Sequence, residues 1–447
     1  MNESVRSAAD GLVEFVRACP SMFHTAAEIC RRLDGAGFTR LHEADAWEMA
    51  PGGRYYVVRN NSSVVALKVG DELGTPSRRA PHHFQMAVAH GDSPTYKVKS
   101  SPELPGPEGA LRLDVEAYGG MIDHTWLDRP LGLAGRVLVR SGARVESRLV
   151  NIERDVCLIP SLAIHLDRSS GLAPQLNRAV DLCPLFSVGE LGPGSFLEMV
   201  AAAAGADAAD VLAHDLFLVA HEEPRVWGEA DEFVSGGRLD DLQCAYVALS
   251  AFLSTDNARD VSVFACFDNE EVGSLTKQGA MSTLLADTLL RASSALGRTP
   301  EEHRRALAAS MLVSCDNAHA VHPNHPERYD EANRCRLNGG LVVKEAANQH
   351  YCTDAFSRAL LVALLDRAGV PHQSFANRSD MAGGSTLGNL SNSQVSVHAV
   401  DVGLPQLAMH SVFETAGARD TALGIAALEA FYGADLVIDG ADGAELG

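Results

Sequence analysis

The chain has 447 residues, of which 46% are hydrophobic and 21% charged, a composition typical of a folded protein large enough for two cores. Its formal net charge of −21 argues against a nucleic-acid partner, and no apolar run reaches the roughly 18 residues that a membrane-spanning helix needs. The nine cysteines are scattered without a C-x-x-C pair, and the first residues lack an apolar signal core. These features predict free thiols in a cytoplasmic protein.

The first half of the chain begins with two predicted helices and continues as strands. Helical periodicity extends to about residue 37, and the runs YYVVRN, SVVALKV and HHFQMAVAH then have the pattern of strands. Residues 93–133 are rich in Pro, Gly and short extended runs. Farther on, residues 136–150 predict a β-hairpin, and residues 195–219, with the run AAAAGADAAD inside them, predict a helix.

From residue 240 onward, strands alternate with helices. The helix LDDLQCAYVALSAFLS precedes the strand VSVFACF, a helical region over 279–309 precedes SMLVSC, and the helix TDAFSRALLVALLDRAG precedes VSVHAVDVG. This alternation predicts an α/β fold with a mixed, largely parallel sheet flanked by helices. We therefore predict one α/β domain made of residues 1–92 and 234–447, and a second, β-rich domain of residues 93–233 inserted into it.

Two adjacent acids, Glu270 and Glu271, follow the strand VSVFACF. Like charges at a strand end are costly to hold together unless a cation lies between them. Other metal-ligating side chains lie in similar settings, at the ends of predicted strands or the start of a predicted helix: His90, Asp240, Asp316 and His410. In open α/β sheets, ligands bind beyond the carboxyl ends of the strands, so we expect these side chains to meet.

This set of residue types predicts a metal centre. Two histidines and three carboxylates can hold two zinc ions, with one further carboxylate left to act as a base. Asp92, two residues after His90, is placed to orient the imidazole. Taken singly, each of these residues also fits a polar loop position, and paired acids are favoured at a helix N-terminus. Residue types and order alone leave several classes of metallohydrolase open.

Several runs between residues 25 and 413 are long and specific, among them AHGDSP, SLAIHLDR, GRLDDL, DNEEVGS, CDNAHAVHPNHPE, GGLVVKEAANQHY, RSDMAGGSTLG and GLPQLAMHSVFE. In this order they resemble the aspartyl aminopeptidase family of dinuclear zinc exopeptidases. One departure is Asp241, which stands where that family usually has Asn and adds negative charge near the metals. None of the departures removes a metal ligand.

The resemblance implies a role for each candidate ligand. The first metal ion would be bound by His90 and Asp316, and the second by Glu271 and His410. Asp240 would bridge the two ions. The resemblance implies zinc, and cobalt or manganese are the alternatives.

The resemblance also implies the catalytic and binding groups. Glu270 would be the general base in the hydrolysis of peptides with a free N-terminus. The inserted domain would form dimers that assemble into a homododecamer, and His165 would reach the active site of a neighbouring subunit. Lys344 would lie in the pocket that receives the first side chain of the peptide.

Three alternatives stay open at this point. In the first, the preferred N-terminal residue is open: Lys344, with Arg378 nearby in sequence, favours Asp or Glu, but relatives in the family include members that prefer neutral, apolar residues. In the second alternative, the chain is a peptide-binding protein without catalytic activity, because fold does not determine function. In the third, it is a related dinuclear hydrolase, such as a deacylase, that does not require a free amine.

Overall fold

The computed structural model describes residues 2–73, 82–166, 168 and 175–447. The helices in this part of the chain are α1 (Glu3–Ala18), α2 (Met22–Gly35), α3 (Ser195–Ala203), α4 (Leu239–Ser254), α5 (Leu284–Ala295), α6 (Pro300–Ala308), α7 (Ala355–Ala368), α8 (Leu387–Gln394) and α9 (Ala418–Gly433). The strands are β1 (Thr39–Leu41), β2 (Arg54–Arg59), β3 (Ser63–Val69), β4 (Phe84–His90), β5 (Thr95–Pro105), β6 (Ala110–Tyr118), β7 (Pro130–Ser141), β8 (Arg144–Leu158), β9 (Leu185–Val188), β10 (Val211–Ala220), β11 (Arg225–Trp227), β12 (Phe233–Gly236), β13 (Val261–Phe267), β14 (Met311–Cys315), β15 (Ala318–His319), β16 (Leu341–Glu345), β17 (His372–Ala376), β18 (His398–Gly403), β19 (Pro405–Leu407), β20 (Glu414–Gly417), β21 (Leu436–Asp439) and β22 (Gly443–Leu446).

A nine-stranded mixed sheet, in the order β1-β2-β3-β13-β4-β14-β18-β16-β17, forms the centre of the fold. Its middle strands β13, β4, β14 and β18 are parallel to one another, as the alternation of strands and helices predicts. Every residue of β4 and β13 is buried, because helices cover both faces of the sheet. The expected α/β class with a largely parallel sheet is confirmed.

Two apolar layers stabilise the central sheet. Along β13, Phe264 and Cys266 belong to one core with α1, α4, α7 and α9, whereas Val263 and Ala265 belong to the opposite core with α5. The side chains of a strand alternate between the faces of a sheet, so one apolar run supplies both layers. No helix in the described ranges is long and apolar enough to cross a membrane.

A closed six-stranded barrel, in the order β10-β5-β6-β9-β8-β7, lies between β4 and β12 in the chain. The predicted hairpin is present as β7 and β8, which pair from Ser141↔Arg144 to Pro130↔Leu158. The barrel has its own apolar core, which includes Tyr96, Leu133 and Leu218. All of its strands come from residues 95–220, inside the stretch that the sequence analysis assigned to an inserted domain.

The helix predicted over residues 195–219 is wrong in its second half. Helix α3 ends at Ala203, and Gly205, with φ of +61°, follows it. From Val211 to Ala220 the chain is strand β10, which pairs with β7 and fills the barrel core with Leu216 and Leu218. The alanine-rich run favours a helix locally, but the alternating apolar residues after it are used in long-range strand pairing.

A smaller sheet has five strands in the order β11-β12-β20-β19-β15, and short connections join two of them to strands of the central sheet. Strand β15 follows β14 after two residues, β19 follows β18 after one residue, and β12 leads directly into α4. This sheet therefore joins the carboxyl ends of two central strands to the start of α4.

Candidate active site

Three of the predicted site segments meet at the carboxyl ends of adjacent parallel strands. His90 is the last residue of β4 and lies opposite Phe267, the last residue of β13. The turn that carries Glu270 and Glu271 therefore begins beside His90. Asp316 directly follows β14, the strand on the other side of β4. Strand register thus explains why residues far apart in sequence come together.

Asp240 lies between the two histidines. It is in the first turn of α4, and its Oδ1 is 3.5 Å from Nε2 of His90, while its Oδ2 is 3.3 Å from Nε2 of His410. His410 lies in the turn between β19 and β20, where its φ is +66°. One carboxylate oxygen therefore faces each imidazole.

The ligand-type side chains form two overlapping groups that share Asp240. In each group the ligand atoms lie within 4.8 Å of one another. The first group contains His90, Asp240, Asp241 and Asp316, and the second contains Asp240, Glu271 and His410, whose Nε2 is 3.4 Å from Oε2 of Glu271. His90 also forms a group with Glu270 and Glu271.

The chemistry of this cluster fits divalent cations. Three buried carboxylate oxygens of this cluster accept no hydrogen bond within the described part of the chain: Asp240 Oδ1, Asp241 Oδ1 and Glu271 Oε1. A buried charge without a partner is costly, and carboxylates in proteins relieve that cost by pairing or by binding a metal. Imidazole nitrogens together with carboxylate oxygens are a ligand set that zinc accepts.

The pKa values in the cluster are shifted in the directions expected where buried carboxylates outnumber positive charges. Burial, with the neighbouring carboxylates adding to it, raises the pKa of Glu270 to about 8 and that of Asp316 to about 6. Burial opposes protonation of His410, but Asp240 outweighs it and raises the pKa of His410 to about 9. A divalent ion bound here would reverse the shifts of the carboxylates, because it stabilises their anionic forms.

Asp92 connects the two edges of this cluster. Its Oδ1 lies 3.3 Å from Nδ1 of His90, on the side of the ring away from Asp240. Its two oxygens also accept hydrogen bonds from the backbone N–H groups of Glu270 and Glu271, each at 3.2 Å. The hydroxyl of Tyr118, from barrel strand β6, donates to Oδ2 of Asp92 at 2.7 Å.

Glu414 is a supporting residue that the sequence analysis missed. This carboxylate is only 1% exposed and accepts hydrogen bonds from the backbone N–H groups of Asp240, at 3.0 Å, and His410, at 2.7 Å. Burial raises the pKa of Glu414 to about 8. Its sequence signal is an acid in an otherwise apolar setting four residues after His410, and its role depends on the pairing of β12 with β20.

The other two predicted residues are Lys344, which is buried beside Asp316, and His165, which is exposed. The ammonium of Lys344 is buried and donates to the carbonyl of Asp316 at 2.7 Å, with the carboxylate of Asp316 3.8 Å away. Burial disfavours its charge, but the neighbouring acidic groups, Asp316 first among them, together outweigh burial and raise the pKa of Lys344. His165 is exposed and lies in the segment that follows β8.

The comparison with known proteins finds a family of zinc enzymes, which agrees with a cluster of metal-ligand side chains. The family model described as aminopeptidase I zinc metalloprotease (M18) matches residues 15–432. The "Probable M18 family aminopeptidase 2" of Clostridium novyi (strain NT) is 39% identical over 430 residues, which cover 95% of this chain and 98% of that protein.

Solved structures are also similar. The Ape4 chain in the "Cryo-EM structure of the Ape4 and Nbr1 complex" has a TM-score of 0.92 and 34% identity, with 96% of this chain and 86% of that chain covered. The "Structure of S. cerevesiae mApe1 dodecamer" has a TM-score of 0.84 and 28% identity, with 96% of each chain covered.

Glu414→Gln should weaken zinc binding about 10- to 100-fold, the range typical of residues that orient metal ligands. The amide places an NH2 group where a backbone N–H of Asp240 or His410 now donates, so one ligand loop moves. Zinc affinity is measured by competition with a chromophoric chelator.

Asp420→Asn is the matched control for this substitution. Asp420 is another buried carboxylate that accepts two backbone N–H bonds, from Asn338 and Gly340, but outside the cluster. It should lower the melting temperature without changing zinc affinity. Equal zinc affinity of Glu414→Gln and the unsubstituted protein would contradict the role of Glu414.

Proposed function

We propose that this chain, which belongs to the aminopeptidase I zinc metalloprotease (M18) family, removes N-terminal residues from peptides at a two-metal site with Glu270 as the general base. Family membership makes the chain a metalloaminopeptidase, a hydrolase. The number of metal ions, the assignment of ligands and the role of each side chain are proposals. The observation that supports them is the position of Asp240 between two groups of ligand-type side chains.

The ligand assignment follows the two groups. His90 and Asp316 would hold one zinc ion, and Glu271 and His410 would hold the other. Asp240 would bridge them, because each of its oxygens faces a different histidine. Cobalt or manganese would fit the same nitrogen and oxygen ligands.

This assignment leaves over two carboxylates of the cluster, Asp241 and Glu270. Asp241 accepts a hydrogen bond from the backbone N–H of His90 at 3.2 Å, and we assign the role of base to Glu270. When bound, the two ions supply Lewis acidity that activates a water molecule and polarises the peptide carbonyl. Asp92 accepts hydrogen bonds from the backbone N–H groups of both Glu270 and Glu271. Of these two acids, Glu271 is assigned as the ligand because its Oε2 lies 3.4 Å from Nε2 of His410. Glu270 thus remains free to take a proton from water and to return it to the departing amine.

The charge of the site favours a free N-terminus on the substrate. Five carboxylates lie in the ligand-type groups, and a cationic α-amine is attracted to such a region. This argument supports removal of the first residue over internal cleavage. A deacylase would not require a free amine on its substrate. A peptide-binding protein without activity would not require the base.

We propose that an N-terminal Asp or Glu is preferred. The ammonium of Lys344 lies 3.8 Å from the carboxylate of Asp316. Its positive charge, buried and held against the backbone of Asp316, would attract an acidic side chain placed beside the metal centre. The alternative is that Lys344 only supports Asp316, in which case neutral, apolar first residues would be accepted equally well.

We also propose that the protein is a cytoplasmic homo-oligomer built from dimers, up to a dodecamer. The S. cerevisiae relative forms a dodecamer. In this chain, three large apolar side chains around His165 are exposed: Leu162, Ile164 and Leu166, the last by 75%. Contiguous exposed apolar residues favour a protein interface, which would bring His165 to a neighbouring subunit. All nine cysteines lie in the described ranges and are free thiols, in line with a reducing compartment.

Removal of metal with a chelator should abolish release of the first residue from peptides, and added zinc should restore it. Glu270→Gln should lower kcat by about 10²- to 10⁴-fold, the contribution of a general base, while zinc content is unchanged. Peptide release is followed by chromatography and zinc by atomic absorption, with N-acetylated peptides as the control. Cleavage of acetylated peptides at the same rate would support a deacylase, and a zinc-loaded protein without any cleavage would support a binding protein.

Lys344→Ala should lower the ratio of kcat/KM for Asp-initiated over Leu-initiated peptides at least tenfold, because a charge-assisted hydrogen bond contributes about 1.5–3 kcal/mol. The ratio is the measurement, since loss of the contact to Asp316 slows both substrates. Arg378→Ala is the control, because Arg378 is half-exposed and already paired with Asp380. An unchanged ratio for Lys344→Ala would rule out the pocket role.

Mixing two inactive variants tests whether His165 acts between subunits. His165→Ala and Glu270→Gln should each be inactive alone. When the two proteins are dissociated, mixed and reassembled, some sites should combine an intact Glu270 with a neighbour's intact His165, so activity should return. Reassembled mixtures that stay inactive, with oligomers confirmed by light scattering, would contradict this role of His165.

A further inference from the structure

A short segment of the barrel domain lies across both proposed metal-binding loops. We call residues 118–122 the strap; it begins at the last residue of β6 and ends just before the 3-10 helix Asp123–Trp126. Its contacts reach both sides of the cluster, towards His90 at one end and His410 at the other. Neither family membership nor the ligand assignment gives these residues a function.

Tyr118 provides the contact on the His90 side. Its hydroxyl donates to Oδ2 of Asp92 at 2.7 Å and accepts from Nδ2 of Asn269 at 2.8 Å. Asp92 in turn faces Nδ1 of His90 and holds the backbone of the Glu270–Val272 turn. The hydroxyl thus donates to Asp92 and accepts from Asn269. In sequence, Asp92 is two residues after His90, and Asn269 directly precedes Glu270.

The middle of the strap is fixed by a glycine. Gly119 has φ of +84°, and a Cβ atom at this position would lie 3.1 Å from Cβ of Glu271 and 3.3 Å from its carbonyl oxygen. This φ and this close approach both require glycine. The strap therefore packs directly against the backbone of a proposed ligand.

The far end of the strap contacts His410. The carbonyl of Gly120 is hydrogen-bonded to Nδ1 of His410, and the N–H of Ile122 donates to the carbonyl of His410 at 3.0 Å. A ring nitrogen held in this way leaves Nε2 directed at Asp240 and Glu271. Second contacts of this kind determine the tautomer and orientation of metal-binding histidines.

We infer that Tyr118 is a positioning residue through which the barrel domain sets the metal affinity of the active site. The inference rests on the proposed metal site. The Tyr118 hydroxyl is hydrogen-bonded to Asp92 and Asn269, neither of which is a proposed ligand, so Tyr118 acts through Asp92, whose orientation towards His90 the hydroxyl helps to fix. Loss of the hydroxyl leaves Asp92 held by the two backbone N–H bonds at 3.2 Å but without its shortest contact, at 2.7 Å. This widens the distribution of His90 orientations, so zinc should be held less tightly.

Tyr118→Phe removes the hydroxyl and keeps the ring, which packs edge-on against Phe217 at 5.5 Å between centroids. The dissociation constant for zinc, measured by chelator competition, should rise about 10- to 100-fold. At saturating zinc, kcat/KM should recover most of its original value, because the base and the ligands are all present.

Tyr96→Phe is the matched control. Tyr96 is also a buried barrel tyrosine whose hydroxyl donates to an aspartate at 2.7 Å, but that aspartate is Asp123, outside the ligand groups. It should leave zinc affinity unchanged. If both substitutions weakened zinc equally, the effect would come from general loosening of the barrel, and the inference would be wrong.

A double substitution tests the route through Asp92. Tyr118→Phe should add little to the loss of zinc affinity caused by Asp92→Ala, because residues that act through one another are not additive. Fully additive losses would overturn the inference. Failure of the unsubstituted protein to bind zinc would overturn the proposed site and this inference together, whereas equally tight binding by Tyr118→Phe would overturn this inference alone.

Discussion

Five carboxylates share one small region at the carboxyl edge of the central sheet, and their repulsion is the constraint around which the surrounding structure is arranged: Asp240, Asp241, Glu270, Glu271 and Asp316. Without cations, burial raises the pKa values of Glu270 and Asp316 and so disfavours their ionised forms. The free-energy cost of removing charged groups from water is offset only by strong, well-placed partners of opposite charge. Divalent ions are such partners, and the histidines on either side of Asp240 would contribute ligand nitrogens to them under the proposed assignment.

Such a cluster must be held in place from outside, because its members repel one another. Two further carboxylates do this through the backbone. Asp92 accepts hydrogen bonds from the N–H groups of Glu270 and Glu271, and Glu414 accepts them from Asp240 and His410. Each of these carboxylates joins loops from distant parts of the chain. The ligand positions therefore depend on backbone contacts that involve no ligand side chain, which explains how a loop-built site can keep a fixed geometry.

The sequence predicts the parts of this arrangement that depend on local pattern. The apolar runs that end at His90 and at Phe267 are parallel strands, and Asp316 follows a third, so the meeting of these residues was predictable from the α/β alternation. The strand Val211–Ala220 was not predictable in this way. The alanine-rich run before it favours a helix, and the strand forms because it pairs with β7. Glu414 and Tyr118 were missed for the same reason. Tyr118 and Asn269 are 151 positions apart, and nothing in either local sequence indicates the contact.

The place of the barrel strands in the chain explains why the barrel and the carboxylate cluster cannot be independent. The barrel begins two residues after the loop that carries His90 and Asp92, and the first residue past Asp92 already bonds to the site, since Ser93 Oγ donates to the carbonyl of Asp240 at 2.7 Å. The chain then returns towards the same cluster at Tyr118 and, after the strap, donates from Ile122 to His410. Any shift of the barrel relative to the sheet must therefore move groups that hold both proposed histidine ligands. An interface formed by the barrel would act on the metal centre through these same contacts, so that assembly and metal binding would be thermodynamically linked, each changing the affinity of the other by the same factor.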